Sequence, residues 1–190
     1  MTTKQVDVHF ATGRDLLSAY WGHLTGGGLA VSSSQASEAL RDGQTVTLLV
    51  HIGGQPRVAI RGTVVRSSPA KSVVAFSRSD AKERLLTAAF SAREMNMTAR
   101  VSTADPDQPS EFDVVVHRLS DTGCCLGVDP SFDGQLLFVG TELGIELGGI
   151  RVTGCVVASI RDERWVMFDH ECNTVSALLE PSFGASVRIA

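Results

Sequence analysis

His23-Leu24-Thr25-Gly26-Gly27-Gly28 runs into the strand-like Leu29-Ala30-Val31, and further on Arg118-Leu119-Ser120-Asp121-Thr122-Gly123 runs into Cys124-Cys125-Leu126-Gly127-Val128. The likeness continues downstream of both stretches. Gly43-Gln44-Thr45-Val46 answers to Gly140-Thr141-Glu142-Leu143, Arg61-Gly62-Thr63-Val64-Val65 to Thr153-Gly154-Cys155-Val156-Val157, and Val73-Val74-Ala75-Phe76 to Trp165-Val166-Met167-Phe168. The landmarks are offset by 95 (28 to 123), 97 (43 to 140), 92 (62 to 154) and 92 (76 to 168). A near-constant offset with small drift is the mark of a duplicated module with altered loops. The period is too long for a solenoid, so the chain reads as two copies of one small domain.

Outward from these turns, each copy reads as short strands followed by a helix. In the first copy, Val6–Phe10 alternates as a strand, and Leu16, Leu17, Tyr20 and Trp21 crowd into a span leading to the glycine turn. Val46–Ile52 and Val58–Val65 are β-branched runs joined by Gly53-Gly54-Gln55-Pro56, a hairpin signal, and Val73–Phe76 is the next strand. Asp80-Ala81-Lys82-Glu83 has the spacing of a capping box and predicts a helix start, with Leu85, Leu86, Ala89 and Phe90 on one face. In the second copy, strands are expected at Phe112–Val116, Leu136–Val139, Leu143–Leu147, Ile150–Ile160 and Trp165–Phe168. The loop Asp105-Pro106-Asp107-Gln108-Pro109 precedes them, and a short helix over Val175–Leu179 closes the copy. Many short strands with glycine turns in about ninety residues indicate a small barrel.

Bulk properties narrow the function. The 190 residues suit one ordinary domain or two small ones, and 43% hydrophobic content is enough for real cores although only 6% is aromatic. A formal charge of −4 and a pI near 5.7 argue against a non-specific nucleic-acid binder. No apolar run approaches membrane-spanning length and Met1-Thr2-Thr3-Lys4 leads into no signal-peptide core, so a soluble, cytoplasmic protein is expected. Cys124, Cys125, Cys155 and Cys172 match no paired metal spacing. Adjacent Cys124 and Cys125 on a strand point to opposite faces, and all four read as small buried hydrophobes.

The turn motif beginning each copy, with the strand order and trailing helix, resembles the PilZ domain over roughly residues 6 to 90 and 96 to 180. The resemblance implies two tandem six-stranded antiparallel β-barrels, each followed by a short helix, with barrel 1 at residues 1–93 and barrel 2 at residues 94–190. It also implies a bacterial signalling context, such as motility or surface behaviour, in which many members bind cyclic di-GMP. The family's ligand pattern is R-x-x-x-R before the barrel and D/N-x-S-x-x-G on an early strand. This chain carries His23-x-Thr25-x-x-Gly28 and Arg118-x-Ser120-x-x-Gly123.

Both copies depart from that pattern where chemistry matters most. Planar guanidinium groups fork onto phosphate and stack on guanine. Before Thr25 the only basic residues are Lys4 and Arg14, ten apart. Before the second motif, Arg93 stands near the second arginine's place, but Ala89 occupies the first. His23 and Arg118 fill the position of the carboxylate or amide. Loss of one arginine–phosphate contact removes on the order of 1.5–3 kcal/mol. The glycines and the Thr25 and Ser120 hydroxyls are features that a bulged corner needs for its own sake, through positive φ and turn capping.

Other constellations are weaker. His9, His23, His51, His117 and His170 have no H-x-x-x-H spacing, His170-Glu171-Cys172 lacks a distant partner, and no nucleophile elbow or phosphate loop occurs. Asp113, Asp121, Asp129 and Asp133 read as solvated loop carboxylates. Arg57 and Arg61 share a strand face, with Arg66, Arg78, Lys82 and Arg84 nearby, as either a solvated wall or a partner-docking face.

The chain is therefore expected to be a non-enzymatic signalling or adaptor protein that acts through protein–protein contact, without cofactor, metal or nucleic acid, and with cyclic di-GMP binding lost or weakened. The alternative is a cyclic di-GMP receptor using Arg93, Arg100, Arg118, Ser120 and Gly123 as a non-standard site. A third reading, a small hydrolase or metal enzyme, requires His170 or Cys172 to meet further ligands in space.

Overall fold

The computed structural model describes residues 3–103, 110–129 and 137–179. The chain divides into two compact units, Met1–Ser91 and Ala92–Ala190.

The first unit contains β1 (Lys4–Phe10), α1 (Gly13–Ala19), β2 (Gly28–Ser32), β3 (Thr45–Ile52), β4 (Val58–Ser67), β5 (Lys71–Phe76) and α2 (Ser79–Phe90). Its strands form one five-stranded sheet in the order β1-β3-β4-β5-β2. This corrects the expectation of a six-stranded antiparallel barrel here, because β1 lies parallel to β3 and residues 11–27 supply a helix and a turn instead of a sixth strand. Thr12 and Asp15 explain the helix. The Thr12 hydroxyl accepts from the Asp15 amide at 3.1 Å, and the Asp15 carboxylate accepts from the Thr12 amide at 3.0 Å, a reciprocal cap. Leu16 and Leu17 are thereby turned into the core. Gly13 lets α1 cross α2 closely, since a Cβ there would stand 1.7 Å from the Ala89 carbonyl oxygen. The capping box expected at Asp80 is not found. Arg78 is the N-cap of α2, with no side-chain cap, and Asp80 lies within the first turn.

The second unit contains β6 (Arg93–Thr103), β7 (Glu111–Leu119), β8 (Gly123–Gly127), β9 (Glu142–Leu147), β10 (Ile150–Ile160), β11 (Glu163–Phe168) and α3 (Asn173–Leu178). These strands close a barrel in the order β10-β11-β8-β7-β6-β9, antiparallel at every pairing. Its interior is filled by Val101, Val116, Leu119, Cys124, Leu126, Ile145, Val166 and Phe168 from alternating positions, with Val175 and Leu178 of α3 packed on. Residues Leu137–Val139 form bend and turn rather than the expected strand, Leu136 lies outside the described residues, and so does the loop 105–109.

Four strands of each unit share one hydrogen-bonding frame. Gly43 donates to Val64 and Gly140 to Val156, both at 2.8 Å, while Val64 donates to Gln44 and Val156 to Thr141, both at 2.9 Å. Ser77 donates to Arg61 and Asp169 to Thr153 in the same way. A register shift falls between Val64 and Arg66 in β4, and between Val156 and Ala158 in β10. Gly62 and Gly154 each leave room for a carbonyl oxygen, of Ala75 and Met167 respectively, 2.5 Å from where a Cβ would sit. Side chains at either position would push the bulged strands apart.

Candidate functional site

Arg118 is the most enclosed charged side chain of the expected set. It stands near the end of β7, on the outer wall of the barrel, opposite Glu94 of β6 and Cys125 of β8. Cys125 is in turn opposite Trp165 of β11, so Arg118, Cys125 and Trp165 form a row across three strands. The guanidinium carbon lies 5.3 Å from the centroid of the Trp165 ring, within cation–π range. Nη1 stands 3.8 Å from Glu163 Oε2, an ion pair beyond hydrogen-bond length, and Nη1 is buried without a hydrogen-bond partner among the described residues. Trp165 and Cys125 are fully buried. Burial, then the neighbouring Glu163 carboxylate, pushes the Cys125 thiol well above its ordinary pKa. His117, at the bulge one residue earlier, lies over Gly127 with Nδ1 3.4 Å from Glu163 Oε1.

The other expected ligands are committed elsewhere. Ser120 is buried, its hydroxyl 3.1 Å from the Gly123 carbonyl oxygen and 3.0 Å from the Thr122 hydroxyl, while its amide donates to the same carbonyl at 2.9 Å. It holds the turn into β8. Arg93 opens β6 and donates from Nη1 to the Leu179 carbonyl at 2.7 Å, just past the end of α3. Arg93 pairs with the core residue Leu119, whereas Arg118 pairs with Glu94, so these two arginines stand on opposite faces of the β6–β7 ladder. Arg100 lies seven residues along β6 from Arg93, about 20 Å away, in an exposed pair with Asp113 at 3.4 Å. Arg93, Arg100 and Arg118 are not brought together.

The first unit's motif is laid out differently. His23 and Thr25 are exposed in the turn before β2. Thr25 makes no side-chain hydrogen bond among the described residues, so the turn cap expected of it is not formed. Gly27 is the residue of this motif with positive φ, at 79°; Gly26, Gly28 and Gly123 do not have it, contrary to expectation. Gly27 also lies over the ring of Tyr20, whose hydroxyl would stand 2.7 Å from an added Cβ. Gly28 begins β2, with Leu24 and the Val74 carbonyl where its side chain would be.

Among the described residues no three histidine, cysteine or carboxylate groups are arranged to hold a metal ion. His170 and Glu171 are exposed, and the Cys172 thiol lies 3.4 Å from the Thr174 hydroxyl, which holds its pKa below the ordinary range. Among the described residues, nothing further is brought to His170 and Cys172 to complete a metal site. No helix among the described residues is long and apolar enough to cross a membrane.

Two features of the arginines were not visible in the sequence: the Trp165–Glu163 enclosure of Arg118, and the contrast with the first unit. There, among the described residues, Arg57, Arg61, Arg66, Arg78 and Arg84 form no side-chain hydrogen bond, ion pair or ring contact.

No protein-family model and no characterised protein sequence matches the chain. Among solved structures, apo MrkH of K. pneumonia is similar at 9% identity and a TM-score of 0.38, over 82% of this chain and 75% of that one. The MrkH–c-di-GMP complex is similar at 9% identity and a TM-score of 0.32, over 80% and 75%. PlzA of Borreliella burgdorferi in complex with c-di-GMP is similar at 10% identity and a TM-score of 0.29, over 79% and 66%. Likeness of this size assigns no activity.

Proposed function

We propose that this chain is a non-enzymatic signalling or adaptor protein of the PilZ type. It is built from two copies of one duplicated frame and acts through protein–protein contact, with cyclic di-GMP binding lost or weakened. The observation that carries the reading is the commitment of the second unit's motif side chains: Ser120 to its turn, Arg93 to the end of α3, and Arg118 to Trp165 and Glu163. A dinucleotide phosphate would have to compete with those partners. Among the described residues it would find one guanidinium, that of Arg118, on that wall near the turn, where the family pattern calls for a convergent pair. The shared hydrogen-bonding frame, bulge and glycine contacts support the duplication.

The receptor reading keeps one observation in its favour. Arg118 Nη1 is a buried donor without a hydrogen bond, and such a group is destabilising by about 1–3 kcal/mol until something accepts from it. The two readings part on the variants Arg93→Ala and Arg118→Ala. A structural arginine gives lower stability with an unchanged response to cyclic di-GMP. A receptor arginine gives loss of a dinucleotide-dependent thermal shift that the parent protein displays.

A further inference from the structure

Charge is divided unevenly along the chain. Residues 1–91 carry ten Lys and Arg against six Asp and Glu, net +4, whereas residues 92–190 carry seven against fifteen, net −8. Within the first unit the excess lies between positions 57 and 84, where seven basic residues face two acidic ones. Two of these residues, Arg57 and Arg84, line a groove of about 440 Å³ between the start of β4 and the C-terminal half of α2. Arg57 and Arg84 stand on its walls with Gln55, Glu83 and Thr87, and Val58 contributes apolar surface. Gln55 donates to the Ser91 hydroxyl, tying the hairpin turn to the end of α2. At the other end, the Ser77 amide donates to the Arg61 carbonyl at 2.9 Å, which brings Arg61 beside Arg78 at the helix start.

β4 and α2 therefore run alongside each other in opposite senses. The strand from 57 to 61 and the helix from 78 to 87 each rise about 13 Å, and the groove is lined at the Arg57–Arg84 end of this span. Arg57 and Arg84 stand toward one end and Arg61 and Arg78 toward the other. All four are exposed, and among the described residues none has a partner. A length of about 13 Å takes roughly four extended residues. Unpaired guanidinium groups at both ends suit carboxylates, which accept two parallel N–H bonds from one arginine. Glu83 on the wall and a chain charge of −4 oppose a phosphate backbone.

We propose that the β4–α2 groove of the first unit docks an acidic, extended segment of a partner protein. This rests on the protein-contact reading above and names the face and the chemistry of the partner. The test is fluorescence anisotropy of the full chain with a rhodamine-labelled octapeptide of alternating Ser and Glu at ~50 mM salt. Saturable binding that weakens as salt rises is expected, and Arg57→Glu with Arg84→Glu should reduce affinity at least about tenfold. The pair Arg66→Glu with Lys71→Glu makes the same charge change toward the β4–β5 turn and should stay within about threefold of the parent.

Absence of peptide binding would overturn the assignment, as would equal losses in both double variants, which would mark a diffuse field. So would tighter binding of a duplex DNA oligomer that Arg57→Glu with Arg84→Glu abolishes, since the partner would then be nucleic acid. Circular dichroism confirms that the variants fold. Titration of the same samples with cyclic di-GMP separates the two failures: dinucleotide binding counts against the preceding reading, whereas peptide silence without it removes only the groove.

Discussion

Arg118 in the second unit and Arg57 in the first both stand on the outer side of a β-sheet, yet one is enclosed and the other is free. Arg118 has Trp165 beneath its guanidinium and Glu163 alongside, reached through β8 and β11 of a closed barrel. Arg57 immediately precedes β4, beyond the last β3–β4 pair of Val50 with Val58, and among the described residues it has no ion pair or ring contact. Register sets Arg118 beside Trp165 and Glu163, whereas Arg57 lies outside the paired residues. In the second unit Arg93 and Arg118 are held by internal partners, while in the first unit Arg57 and Arg84 are presented to solvent.

The sharpest way to break this comparison is to remove the floor under Arg118. Trp165→Ala deletes a fully buried ring and should destabilise by about 3–5 kcal/mol in urea denaturation followed by circular dichroism. A loss below about 1 kcal/mol would mean that the enclosure is not a packed one. Gly13→Ala tests the feature that distinguishes the first unit, the α1–α2 crossing. A Cβ aimed at the Ala89 carbonyl should lower stability by about 2–4 kcal/mol, read from Trp21 emission in a Trp165→Phe background.

Next comes the arginine contrast itself. Arg118→Ala should lose about 1–3 kcal/mol through the ring contact and the ion pair with Glu163. Arg57→Ala and Arg84→Ala should leave the denaturation midpoint unchanged. Equal losses would erase the distinction drawn between the two walls.

The smallest effect is a rate difference among thiols. The Thr174 hydroxyl favours the Cys172 thiolate, whereas burial raises Cys124 and Cys125 far above the ordinary range. Labelling with a disulfide reagent near pH 7 should reach Cys172 first, since the thiolate is the reacting form. Its rate should rise with pH and level off below the pH at which an ordinary thiol does. Cys124 and Cys125 should react only after denaturant is added.

Much of the strand frame was legible because β3, β4, β5, β10 and β11 alternate or carry β-branched runs between glycine turns. The repeat offsets marked the bonds that the two units share. α1 was missed although Thr12-x-x-Asp15 announces it, because a seven-residue helix with adjacent Leu16 and Leu17 has too little periodicity to stand out. β6 was not among the expected strands, though Met95, Met97, Ala99 and Val101 alternate with polar residues. The parallel placement of β1 beside β3 leaves no local trace in either strand. At the site, Ser120 was correctly suspected of a turn role, but the neighbours of Arg118 were invisible. Glu163 and Trp165 are joined to it only through the pairing of β7, β8 and β11. The Arg57–Arg84 groove likewise depends on α2 folding back along β4.

The most direct test of the account is calorimetric titration of the full chain with cyclic di-GMP at moderate salt. No heat of binding up to roughly millimolar ligand is expected, because the motif arginines are held by Trp165, Glu163 and the end of α3. Binding at micromolar affinity or tighter, abolished by Arg118→Ala in a protein that still folds, would contradict it and make the second barrel a receptor.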